Sequence, residues 1–230
     1  ELQRLCVDNI ITFDAHDPRV QNAIPLNGFE SIQPTYQMLK TLVQEEPDMK
    51  FDRERLVIIS PDEGGLGRCI YYSSVLGLEL GMFYKRRDYA TVVNGRNPII
   101  SHEYLGGSLE GKDVIVVDDI ISSGDSVLDI AQQLRSKNVG RIFIFASFGL
   151  FCNGLKRFDE AYAAGLFDKI FTTNLVYRTD ALKARPWYAE VDMAKYIALV
   201  IDTLNFDGSM SDLLDPSSRI KRLLNRTEKK

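Results

Sequence analysis

The sequence predicts an α/β fold of three layers, a mostly parallel central sheet with helices on both faces, and three observations carry the prediction. Val114–Val117 is an uninterrupted β-branched run, the pattern of a strand buried on both faces of a parallel sheet. Beyond a short polar loop, Val127, Ile130, Ala131 and Leu134 follow, spaced i, i+3, i+4, i+7 as on one face of a helix. Further buried-strand candidates recur at Leu56–Ile59, Leu80–Tyr84, Arg141–Ala146 and Lys169–Asn174, as alternating strands and helices require.

The remaining elements follow in order. Asn9–Phe13 reads as a strand, stopped by Pro18. Thr35 to about Gln44 reads as a helix with Tyr36, Leu39 and Val43 on one face, and the charged connector Glu45–Arg55 reads as a domain boundary. The chain would thus divide into residues 1–45, 46–214 and 215–230. After Leu56–Ile59 comes Ser60-Pro61-Asp62-Glu63-Gly64-Gly65 and a helix through Ser74, closed by Gly77. Lys85-Arg86-Arg87-Asp88 follows the next strand and opens a polar stretch to about Asn97, either a solvated patch or a lid over phosphates. His102 falls in a polar connector, Asp192–Leu204 is an amphipathic helix, and the basic Arg219–Lys230 reads as a frayed tail.

Composition narrows the function. Lys and Arg number 28 against 32 Asp and Glu, a net charge of −4, so no strong field invites nucleic acid. No apolar run approaches a membrane span. Cys6, Cys69 and Cys152 are odd in number and in no metal spacing, which fits a reducing, cytoplasmic setting with each cysteine a small buried hydrophobe. The chain begins at Glu1, not Met, and its start reads as cut, processed or unobserved.

The chemistry gathers where the central strand ends. Asp118 and Asp119 are adjacent carboxylates that repel each other and lose hydration unless something cationic or hydroxyl-rich sits opposite. Ser122-Ser123-Gly124-Asp125-Ser126 then leads into a helix; the free N–H groups and positive dipole end of such a helix make a cradle for phosphate. Carboxylates followed by hydroxyls and amides describe a site for a ribose phosphate and a divalent cation. His16, between Asp14 and Asp17 at a strand end, is either a structural histidine or part of a cation site. Gly64 and Gly65 permit a tight turn and close backbone approach.

The run VIVVDDIISSGDS resembles the phosphoribosyl-diphosphate (PRPP) loop of type I phosphoribosyltransferases and of the ribose-phosphate diphosphokinases, or PRPP synthetases. By that resemblance Asp118 and Asp119 hold the ribose hydroxyls and Ser122, Ser123, Gly124, Asp125 and Ser126 wrap the 5-phosphate. The loop itself, with Ser122-Ser123-Gly124-Asp125-Ser126 where synthetases carry Asp-Thr-x-Gly-Thr, looks more like a transferase. Other segments resemble the synthetases: Ile10–Pro25 with His16, VIISPDEGGLGR with Asp62, the Lys85-Arg86-Arg87 run, Phe148–Asn153, Thr172-Thr173-Asn174 and Ser209–Leu214. Departures stand at Gly67, where that family often has Lys, and at Phe148, where it has His.

The resemblance implies a type I phosphoribosyltransferase-like domain that moves diphosphate from Mg-ATP to the 1-hydroxyl of ribose 5-phosphate, giving PRPP and AMP. His16 and Asp62 would hold Mg²⁺, Gly64 and Gly65 would form the diphosphate loop, and Lys85 and Arg87 would be catalytic. It also implies a homo-oligomer built from dimers, and a preceding domain of which residues 1–45 are the end. Two alternatives stay open: a phosphoribosyltransferase consuming PRPP, and a non-catalytic regulatory relative.

Overall fold

The computed structural model describes residues 1–26, 28–87 and 99–227, without the side chains of 3, 85–87, 99–102, 226 and 227. Its centre is a seven-stranded sheet in the order β5-β4-β3-β6-β7-β8-β9. The strands are β3 (Leu56–Ser60), β4 (Glu79–Arg87), β5 (Ile99–Leu105), β6 (Asp113–Ile121), β7 (Ile142–Gly149), β8 (Lys169–Thr173) and β9 (Tyr188–Val191). Every pairing is parallel except β4 with β5. A separate parallel pair, β1 (Asn9–Phe13) and β2 (Gly28–Ile32), precedes it.

Strand alternation sorts the apolar side chains into two layers. Val57, Ile59, Val114, Val116, Ile142 and Ile144 share one core with α3 (Asp125–Arg135), α4 (Lys156–Ala163) and the short α5 (Asp180–Lys183). Leu56, Ile58, Ile115, Val117, Phe143 and Phe145 share the other with α1 (Thr35–Glu45), α2 (Leu66–Leu76), α6 (Ala194–Asn205) and, beyond the single turn α7 (Ser211–Leu214), α8 (Ser217–Thr227). The expected three-layer α/β architecture is therefore present.

Several expectations are corrected. The helix Thr35–Glu45 buries Thr35, Met38, Leu39 and Leu42, so its inner face lies beside the one expected from Tyr36 and Val43. The connector Glu45–Arg55 does not separate two cores: α1 before it and β3 after it share one. Its charges staple it to the sheet, with Arg141 at 3.2 Å from Glu46 and 3.1 Å from Asp48, and Lys169 at 3.0 Å from Glu45. Strand β6 runs to Ile121 and β7 to Gly149, both past their expected ends. Lys85 to Arg87 belong to β4 and pair with β5, which also contains His102. Most of the polar stretch that follows, residues 88–98, lies outside the described residues.

The C-terminal segment is also not frayed through its length. In α8, Ile220 is fully buried and Leu223 and Leu224 pack on the same core. Arg219 lies 5.3 Å from the centre of the Tyr36 ring, joining α8 to α1. Among the cysteines only Cys69 is buried; Cys6 and Cys152 are exposed, and all three are free. Among the described residues no helix is long and apolar enough to cross a membrane. Ile220→Ala should cost about 2–5 kcal/mol, the range for truncating a buried aliphatic side chain, read by denaturant unfolding. An unchanged midpoint would show α8 to be dispensable.

Candidate functional site

From β3 the chain turns to β4 on one side, and from β6 to β7 on the other. The carboxyl ends of β3 and β6 therefore flank the point where strand order reverses, the place where open α/β sheets form a crevice. A cavity of about 350 Å³ opens there, lined by His16, Asp62, Glu63, Gly64, Gly65, Arg68, Tyr84, Asp118, Asp119 and Ile120. Residues far apart in sequence, His16, Asp62 and Asp118–Asp119, thus share one wall.

Local geometry explains how each arrives. Past β3, Ser60 Oγ donates to the Asp62 carbonyl at 2.7 Å and the Gly65 amide donates to Asp62 Oδ1 at 3.2 Å, so Asp62 closes its own turn. Past β1, Asp14 adopts a left-handed backbone conformation, φ +42°. That sharp turn throws His16 toward β6, where its Nδ1 donates to Asp119 Oδ2 at 2.7 Å. Asp17 instead caps the short helical turn Pro18–Ala23 and pairs with Arg19 at 2.7 Å.

Arg68 from α2 holds the wall together. Its side chain is only 9% exposed; Nε donates to Asp14 Oδ1 at 2.8 Å, and Nη2 lies 3.9 Å from Asp119 Oδ1. The other Asp14 oxygen accepts from Ser147 Oγ on β7. Burial opposes the Arg68 charge, but the carboxylates of Asp14 and Asp119 outweigh it and raise its pKa.

The adjacent carboxylates diverge. Burial pushes Asp118 up to about 7, and its neighbour Asp119 adds to the rise. Burial also opposes ionisation of Asp119, yet hydrogen bonds with Asp118 and His16 and the Arg68 charge hold it below the usual range. His16 is raised by its hydrogen bond to Asp119 and by that carboxylate's charge. The cavity thus holds a carboxylate ionised by its partners beside a carboxyl that changes protonation near neutral pH.

The phosphate-loop candidates form the next stretch rather than the cavity wall. Ser122 and Ser123 follow β6, Gly124 takes φ +88° at the N-cap of α3, and Asp125 and Ser126 open its first turn. Only glycine suits Gly124: the backbone is left-handed, and an added Cβ would overlap the Phe158 ring. The first-turn amides of α3 have no partners inside the helix. Strand β4 carries the backbone of Lys85 and Arg87 beyond the end of β3, where it pairs with β5, and their side chains lie outside the described residues.

Asp62, Asp118, Asp119 and His16 are hard oxygen and imidazole donors suited to a divalent cation. Among the described residues no three of them converge closely enough to hold one alone. Sequence reasoning missed Arg68, Glu63 and Tyr84 as parts of this site, and named Asp14 only as a carboxylate flanking His16. The available signals were the Arg closing VIISPDEGGLGR and the Asp opening Asp14-Ala15-His16.

Carboxylates and a helix N-terminus gathered at the switch point of a mostly parallel sheet define an open α/β protein with its crevice at the carboxyl ends of the strands. Residues 28–173 match the phosphoribosyl transferase domain, and the chain belongs to that family. It is 25% identical to a ribose-phosphate pyrophosphokinase of Mycoplasmopsis pulmonis, over 92% of this chain and 61% of that protein. It is 27% identical to one of Rhodopirellula baltica, over 92% of this chain and 62% of that protein. The chain thus spans about three fifths of the length of these curated relatives. A solved phosphoribosylpyrophosphate synthetase from Mycobacterium smegmatis shares the fold, with a TM-score of 0.70 and 21% identity over 90% of this chain and 62% of that one.

Asp118 supplies a pH test. Its carboxyl is raised from 3.8 to about 7 on folding, so the folded chain holds that proton more tightly than the unfolded one. The resulting stability is complete below 3.8 and is lost as pH rises through about 7. Asp118→Asn removes this loss, so the variant's Tm relative to the parent should climb between roughly pH 4 and pH 7. A pH-independent difference would overturn the assignment.

Proposed function

We propose that the chain carries the ribose-phosphate site of a ribose-phosphate diphosphokinase, which transfers the β,γ-diphosphoryl group of Mg-ATP to the 1-hydroxyl of ribose 5-phosphate. The observation that carries this reading is the convergence of His16, Asp62, Asp118 and Asp119 on one cavity, directly before a glycine-turned helix terminus. A plain phosphate-binding turn has no use for the first four. The names of the relatives support the same reading, and the reaction is proposed for the whole protein, since those relatives are longer than this chain.

Phosphoryl-type transfer demands positioning and charge neutralisation more than covalent participation. Amides and hydroxyls of Ser122–Ser126 bind the 5-phosphate. Asp119, held ionised, accepts from a ribose hydroxyl and orients the sugar. Asp118 lies beside it, and its titration near 7 suits it to take the proton that the 1-hydroxyl loses on attacking the β-phosphorus. Gly64 and Gly65 leave room for the diphosphate. His16 and Asp62 would hold Mg²⁺, which when bound neutralises phosphate charge. Lys85 and Arg87 stabilise charge on the transferring group. The protein works as a homo-oligomer in a reducing, cytoplasmic setting; exposed Ile201 and Phe206, at 61% and 75%, offer apolar contact surface.

Calorimetric titration with ribose 5-phosphate and, separately, Mg-ATP tests the reading, together with AMP release by the whole protein. Sugar-phosphate binding and ATP-dependent AMP release are expected; nucleobase binding with no use of ATP would favour a phosphoribosyltransferase. Asp119→Ala should weaken ribose 5-phosphate binding about ten- to hundredfold, the range of a lost charge-assisted hydrogen bond. Lys85→Ala or Arg87→Ala should lower kcat far more than sugar-phosphate affinity, and equal losses in both would remove them from the catalytic role.

A further inference from the structure

The connection from β7 to α4 is built against the phosphate loop. The amides of Leu150 and Cys152 donate to the carbonyls of Ile121 at 2.8 Å and Ser122 at 2.9 Å. Ser122 Oγ sits 3.6 Å from Cys152 Sγ. Further on, the fully buried Phe158 lodges its ring beneath Gly124. These contacts fix the start of α4 beside the start of α3.

Arg157, next to Phe158, is thereby presented to the loop, and its Nη1 pairs with Asp125 Oδ1. Asp125 Oδ2 accepts from Ser123 Oγ at 2.8 Å. Arg157 first, and Ser123 second, hold the Asp125 carboxyl below the usual carboxylate range. Among the described residues lining the groove beside this pair, Arg157 is the cation, set among Asp125, Asp129 and Glu160.

This arrangement answers an electrostatic difficulty. A phosphate reaching the α3 terminus meets a carboxylate already in the first turn, attracted to the same positive helix end. Like charges there repel unless one is neutralised. A guanidinium carries five N–H donors in a planar fork, so pairing with one carboxylate oxygen leaves donors for a phosphate oxygen.

We propose that Arg157, held in place by the β7–α4 connection, is a further phosphate-binding residue that neutralises Asp125 and donates to the 5-phosphate of the sugar. The inference rests on the reading of Ser122–Ser126 as a phosphate loop. It makes the phosphate site a two-walled structure, α3 terminus on one side and α4 cation on the other. Recognition would favour a doubly charged phosphoryl group over the uncharged sugar.

The test is calorimetric titration of the 230-residue chain and its variants with ribose 5-phosphate, with ribose and inorganic phosphate as probes of each half. Arg157→Gln should weaken ribose 5-phosphate and inorganic phosphate binding about tenfold, the scale of one charge-assisted contact. Arg157→Lys should keep part of the affinity, and Asp125→Asn/Arg157→Gln should bind more tightly than Arg157→Gln alone. Both side chains are more than half exposed, at 62% and 52%, so melting temperatures should stay near the parent's. Undiminished binding by Arg157→Gln, or no gain on adding Asp125→Asn, would overturn the proposal alone. Failure of the unsubstituted chain to bind ribose 5-phosphate would overturn the phosphate-loop reading along with it.

Discussion

The buried pair of Arg68 and Asp14 is the constraint on which the candidate site depends. Two charges taken out of water cost several kcal/mol each unless geometry and further hydrogen bonds compensate. Here Asp14 is satisfied on one oxygen by Arg68 and on the other by Ser147, while Arg68 also faces Asp119. Three elements, α2, β6 and β7, are tied through that knot to the turn that follows β1. Because Asp14 is anchored there, His16 two residues on has little choice but to face Asp119.

From that knot the two neighbouring carboxylates acquire different characters. Asp119 meets His16 and Arg68 directly, whereas Asp118 meets chiefly burial and its hydrogen-bonded neighbour. One environment holds a carboxylate ionised and the other pushes a carboxyl toward neutral pH. Paired groups whose environments drive their pKa values apart are the usual mark of divided acid and base roles.

Much of the fold was legible because its signals are local. The apolar runs at Leu56–Ile59 and Val114–Val117, the helix spacing of Val127 to Leu134 and the stop at Gly77 each depend on near neighbours. Element ends were less legible. Strand β6 continues through Asp118, Asp119 and Ile120 because β7 pairs with it as far as Gly149, and a partner strand overrides the polarity that reads as a strand end. Likewise the basic tail conceals α8, whose Ile220 joins the buried core of the layer that α1 helps to form.

What the sequence by itself determined was the strand–loop–helix unit, the carboxylate pair with its hydroxyl loop, and through them the family. These features lie within a few residues of one another and are dictated by backbone geometry and side-chain type. Tertiary structure alone decided which distant charges meet: Arg68 reaches Asp14 across 54 residues and Arg157 reaches Asp125 across 32. No periodicity encodes such pairs. They exist because parallel strands return the chain repeatedly to the same edge of the sheet, gathering there the turns that each strand leaves behind.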